Sequence, residues 1–104
     1  MILPRGISHP TELIKHLNAL APYPSGVVNL RYTVDNDWSG DPAIFFWITL
    51  SDDAARRATL SQTSRRIVDS ITQRLDPIGQ WGRFPYFSFR SQSEQARLQD
   101  EVFG

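Results

Sequence analysis

The segment Ala43–Leu50 carries apolar side chains on both of its alternating faces. Ile44, Phe46, Ile48 and Leu50 point one way, and Phe45, Trp47 and Thr49 point the other. A strand of this kind belongs at the centre of a sheet, covered on both sides. Val27–Val34 precedes it and alternates cleanly, with Val28, Leu30, Tyr32 and Val34 set against Val27, Asn29, Arg31 and Thr33. That pattern predicts a strand with a single buried face. Between the two, Asp35–Pro42 is rich in turn formers, so the pair is expected to close as an antiparallel hairpin.

Helices are expected around this hairpin. In Thr11–Ala21, Leu13, Ile14, Leu17, Leu20 and Ala21 fall at helical spacing, with Pro10 near the first turn, and the run from Pro22 to Gly26 stops the helix. Ser51 followed by Asp52 and Asp53 predicts a helix start, a hydroxyl cap before carboxylates at the positive end of the dipole. That helix should reach about Leu75, because Pro77 disfavours helical geometry at Asp76. Leu60, Ile67, Val68, Ile71 and Leu75 form its apolar stripe, with Arg56, Arg57, Arg65, Arg66 and Arg74 on other faces. Phe84–Arg90 alternates again, and Pro85 near its start marks an edge strand. Ser91–Gln92–Ser93–Glu94 is a capping-box pattern opening a terminal helix with Leu98 and Val102 on one face.

The order is α-β-β-α-β-α, an α+β domain. A right-handed crossover makes the second and third strands parallel. The expected product is a three-stranded mixed sheet with helices mainly on one face. With 104 residues there is room for one core, so residues 1–104 read as a single domain. No cysteine is present, which excludes disulfides, thiolate nucleophiles, iron–sulfur clusters and Cys-rich zinc sites. Pro4, Arg5 and Gly6 interrupt any signal-peptide core, and no stretch approaches the ~20 apolar residues of a membrane span. A cytoplasmic protein without a membrane partner is expected.

Eleven basic and eleven acidic side chains leave a formal net charge of zero. Phosphate neutralisation supplies most non-specific nucleic-acid affinity, so neutrality shifts the expected partner towards protein, self-association included. Catalytic constellations are poor. His9 and His16 are read as surface histidines, no strained nucleophile turn or phosphate-cradling loop is present, and Lys15 is the sole lysine. The chain is read as non-enzymatic, with no cofactor and no metal.

Two surfaces stand out. In the hairpin loop, Asp35, Asp37, Ser39 and Gly40 reproduce the first half of a calcium loop, but its twelfth position is Phe46 instead of a bidentate Glu. The loop therefore reads as a turn whose side chains bond their own backbone. Within it Trp38 is either folded onto the core or an interface anchor, with Asp35, Asp37 and Asp41 beside it. The second surface is the sheet face bearing Asn29, Arg31, Thr33, Phe45, Trp47, Thr49, Tyr86, Ser88 and Arg90. Aromatics flanked by arginines can stack RNA bases, or the face is covered by the terminal helix or by a second copy in a homodimer. Gly79–Gln80–Trp81–Gly82 matches the GxxG string of KH domains, yet only Arg83 separates it from a strand, which points to a glycine-capped turn.

The element order over about residues 11–90 is similar to the type II KH layout of the ribosome-binding factor A family. Two strings carry a different resemblance: Asp37–Trp38–Ser39–Gly40–Asp41–Pro42–Ala43–Ile44–Phe45–Phe46 and Pro85–Tyr86–Phe87–Ser88–Phe89–Arg90–Ser91–Gln92–Ser93–Glu94–Gln95. They resemble a group of short uncharacterised prokaryotic proteins with a DWSGDPA-type loop and a PYF-x-FRS-x-SEQ-type ending. That resemblance implies a small protein partner, in the manner of toxin–antitoxin pairs, and no catalytic residue. Taken together, the expected contact residues are Asp35, Asp37, Trp38, Asp41 and Trp47, with the corner Arg90, Ser91, Glu94 and Gln95.

Overall fold

In the computed structural model, which describes residues 10–103, the hairpin forms as expected. His9 and the Pro4–Gly6 interruption lie outside the described residues, as does the side chain of Val102. Strand β1 (Val27–Asn36) pairs antiparallel with β2 (Pro42–Leu50), and β3 (Phe84–Ser91) pairs parallel with β2, which is the central strand. Helix α1 (Pro10–Asn18) precedes the sheet, α2 (Leu60–Leu75) and the short α3 (Pro77–Trp81) form the crossover, and α4 (Gln92–Phe103) follows β3. The architecture is α+β in the expected order, with α3 as an added turn of helix.

The core fills one side of the sheet. Ile44, Phe46, Ile48 and Leu50 of β2 pack with Leu30 against Leu13, Leu17 and Leu20 and against Ile67, Ile71 and Leu75. The four-residue spacing of Leu13 and Leu17, and of Ile67, Ile71 and Leu75, sets each helical stripe over the strands. Phe87 on β3 lies nearly parallel to Phe46, with ring centroids 4.9 Å apart. Asp76 turns left-handed after α2, ending the helix ahead of Pro77, and its carboxylate accepts from the Gly79 amide at 3.2 Å. A Cβ on Gly79 would collide with that carboxylate. Gly82 ends α3 with φ 61°, so the GxxG string is a capped turn leading into β3.

Three expectations fail. Among the described residues, helices do not close over the outer face of β2: Phe45 is half-buried and Trp47 is 36% exposed. The register of β1 shifts between Val27 and Asn29, so Val27 turns towards the core and Val28 is 45% exposed. A bulge inserts one residue and reverses the alternation behind it. Finally, the helix expected from Ser51 begins only at Leu60. Ser51 does cap a turn, its Oγ accepting from the Ala54 amide at 3.1 Å, but Asp52 is drawn off to another element. Its carboxylate accepts from the Ser93 amide at 3.1 Å and from Ser93 Oγ at 2.6 Å, anchoring the start of α4. Leu60 then sits in the first turn of α2 and is 36% exposed, outside the stripe assigned to it.

Candidate functional site

The outer face of the sheet is built from the alternate residues of all three strands. The register lines up Arg31, Trp47 and Ser88 in one row, and Thr33, Phe45 and Tyr86 in the next. Phe45 and Tyr86, on neighbouring strands, have ring centroids 5.3 Å apart and planes 19° from parallel. Phe45 and Trp47, two residues apart on β2, are 6.1 Å and 24° apart. Trp38, 82% exposed at the hairpin tip, leans on Tyr86 with centroids at 5.1 Å. The tryptophan loop and the sheet face are therefore one surface, a row of four rings, with Phe84 adding a fifth exposed aromatic beyond Tyr86. The sequence supplied both halves; the Trp38–Tyr86 contact joining them is between residues 48 apart and has no local signal.

Asp37 holds the loop in place. One carboxylate oxygen accepts from the Ser39 amide at 2.9 Å, Ser39 Oγ at 2.7 Å and the Asp41 amide at 3.0 Å. The other accepts from the Tyr86 hydroxyl at 2.8 Å. These donors, Ser39 Oγ foremost, lower the Asp37 pKa to about 2. The same bond to Asp37 raises the Tyr86 hydroxyl above its usual value. Both oxygens of Asp37 are thus engaged by the protein's own donors, and the loop is a turn stapled to β3. Asp35 accepts from the Asn36 amide at 2.7 Å and Asp41 from Ser39 Oγ at 3.2 Å, both remaining exposed. Buried Arg83 closes the base of the loop by donating to the Asp35 and Ala43 carbonyls, each at 3.1 Å. Burial lowers its pKa.

At the opposite end of the face the capping box is made as read. The Glu94 amide donates to Ser91 Oγ at 3.1 Å, and the Ser91 amide donates to Glu94 Oε1 at 3.3 Å. Ser91 and Glu94 thus hold α4, which brings Gln95 over a recess of about 90 Å³ lined also by Arg31, Trp47, Ser88 and Arg90. Neither Arg31 nor Arg90 has a carboxylate or hydrogen-bond partner among the described residues. Other arginines are engaged: Arg56 pairs with Asp53, Arg66 donates to the Ser25 carbonyl, and Arg74 to those of Ala19 and Leu20.

Of the expected contact residues, Trp38, Asp35 and Asp41 lie at one end of this surface, and Trp47, Arg90 and Gln95 at the other. Asp37, Ser91 and Glu94 shape it from behind. Arg31, Phe45 and Tyr86 complete it. A recess of this volume is far below the few hundred Å³ of small-molecule sites. The broader depression along Gln62, Arg66, Asp69 and Gln73 is a groove on a single helix, α2. Among the described residues no three His, Cys, Asp or Glu side chains gather to hold a metal, and no helix is long and apolar enough to cross a membrane. His16 is exposed and makes an edge-type ring contact with Trp81, centroids 5.4 Å apart. No family model, curated protein or solved structure matches the chain.

Proposed function

We propose that this chain is a non-enzymatic protein-contact module whose working surface is the open aromatic face of its sheet. The observation that carries the reading is the continuous row Trp38–Tyr86–Phe45–Trp47, which the described elements leave open apart from Gln95 beside Trp47. A contiguous exposed aromatic patch rimmed by polar groups is costly to leave in water and marks a contact site. Tryptophan and tyrosine, which supply three of its four rings, are residue types that carry binding energy in protein interfaces. One half of a two-component regulatory pair is the setting that the two string resemblances imply.

RNA is the second reading, favoured by Arg31 and Arg90 beside Trp47. Two features weigh against it. Phe45 and Tyr86 lie nearly parallel to each other, so each blocks a ring face that a base would need. Asp35, Asp37 and Asp41 crowd the other end of the same surface and would repel phosphates. A photo-crosslinking amino acid at position 38 or 47, activated in the native cell with and without nuclease, separates the readings. Nuclease-resistant protein adducts are expected. Adducts with RNA alone, or none at all, would remove the proposal.

A further inference from the structure

We infer that the occupant of this face is a second copy of the same chain, packed face to face about a twofold axis that runs across the strands. The inference rests on the contact reading above and names its partner. Its basis is the distribution of charge along one surface.

Asp35 and Asp41 stand exposed at one pole, and Arg31 and Arg90 at the other, with the aromatic row between them. Arg31 and Asp35 share a strand and a face, four residues apart, a separation of about 13 Å at the usual strand rise. Thr33, Phe45 and Tyr86 form the register row midway. Two identical faces related by a twofold axis can be laid together in two ways. An axis parallel to the strands sets acid on acid and arginine on arginine. An axis across the strands, through the midway row, sets each copy's acidic pole on the other's arginines. In an isologous contact every pair is made twice, so this setting pairs Arg31 with Asp35 of the second copy, and Asp35 with its Arg31. The hairpin tip leans towards β3, as its contacts with Tyr86 require, which carries Asp41 towards Arg90 of the second copy.

The chain's own features fit this occupant better than others. Arg31 and Arg90 lack partners within the described residues, and the recess between them is large enough for a carboxylate. An acidic segment of an unrelated protein would match the arginine pole but meet repulsion at the other. Two exposed arginines and two exposed aspartates, set at opposite poles of a single face, make that face complementary to itself. Two such sheets would bury the rings between them at ordinary sheet-to-sheet spacing.

The test is sedimentation equilibrium of the full chain at low salt. A dimer is expected. Arg31→Asp and Asp35→Arg should each weaken it by ~100-fold or more, since each places like charges together twice. Mixing the two variants should restore association as a heterodimer, and so should combining both changes in one chain. Thermal unfolding of each variant checks the fold. If Asp35→Arg unfolds the chain, Arg90→Asp with Asp41→Arg supplies a second reciprocal pair. A wild-type chain that stays monomeric, a dimer indifferent to the reversals, or variants that fail to rescue each other would overturn the inference. A monomer that still crosslinks another protein through position 47 would leave the contact reading intact. A monomer with no protein adduct would remove both.

Discussion

On its inner side, β2 presents Ile44, Phe46, Ile48 and Leu50, none more than 1% exposed, to two helices. On its outer side the same strand presents Phe45 and Trp47 to a face that, among the described residues, only the Gln95 end of α4 overhangs. Both sets are apolar, and the strand is central as expected, but only the inner set is buried. The difference lies in what the chain supplies to cover them. The helical stripes of α1 and α2 fit one face only, and α4 reaches no further than the Gln95 end of the other. Among the described residues, the fold closes the inner face and leaves the outer one open. Substitutions on the two sides should therefore act on different measurements.

The largest effect belongs to the inner side. Phe46→Ala removes a fully buried ring stacked on Phe87 within the core. A cost of about 3–5 kcal/mol is expected, as for other buried aromatic truncations. Since ~1 kcal/mol moves the midpoint of a domain this size by about 4–8 °C, the variant should melt far below the parent or fail to fold. Trp47→Ala, one position along but on the outer side, should cost about 1 kcal/mol or less, as surface changes do. Its effect should fall on association and crosslinking instead. Equal destabilisation by the two would show that the outer face is part of the folding core, and the contact reading would lose its support.

An intermediate effect is expected at the corner that limits the outer face. Ser91→Ala removes the hydroxyl that accepts from the Glu94 amide. Loss of such a cap costs about 1 kcal/mol. The predicted signature is faster amide exchange in the first turn of α4, with β2 and α2 protection reduced only by the global amount. Asp52→Ala should produce the same local fraying, because Asp52 grips Ser93 in that turn. If neither change loosens α4 before the rest of the domain, the corner is held by packing, and the recess beside Arg90 does not depend on the cap.

These regions also show what the sequence makes legible. The hairpin, the stop after Leu75 and the Ser91–Glu94 box rest on patterns within a few residues, the parallel third strand on the handedness of its crossover, and all are present. The misreadings share a cause. Ser51–Asp52–Asp53 has the local form of a helix start, but Asp52 bonds to Ser93, 41 residues away. Val28 fits the alternation, but a bulge set by pairing with β2 turns it outward. Phe45 and Trp47 announce a buried face, yet a strand's composition says only that it is to be covered, never by what. The same limit applies to the candidate surface: its residues were visible singly, while its unity depends on Trp38 meeting Tyr86 across the fold.

The smallest predicted effect is the most local, and it probes how the acidic pole is held. Asp37 has its pKa lowered from 3.8 to about 2 by donors that bond to the ionised form. A depressed carboxylate stabilises the native state above its unfolded value, and that contribution fades as pH falls through the folded value. The window is thus from about pH 4 down to about pH 2. Across it, protonation should weaken the bonds from Ser39, Asp41 and Tyr86 together, since all converge on one carboxylate. The expected observation is amide shifts of Ser39 and Asp41 and the Tyr86 ring resonances titrating in concert, with a common midpoint near 2, while Ile44–Leu50 amides remain native. Asp37→Asn should keep the acceptor oxygen but lose the charge, flattening the titration and loosening the Trp38–Tyr86 contact. A midpoint at the ordinary aspartate value would mean that the loop is not stapled, and that Trp38 is not held in the aromatic row.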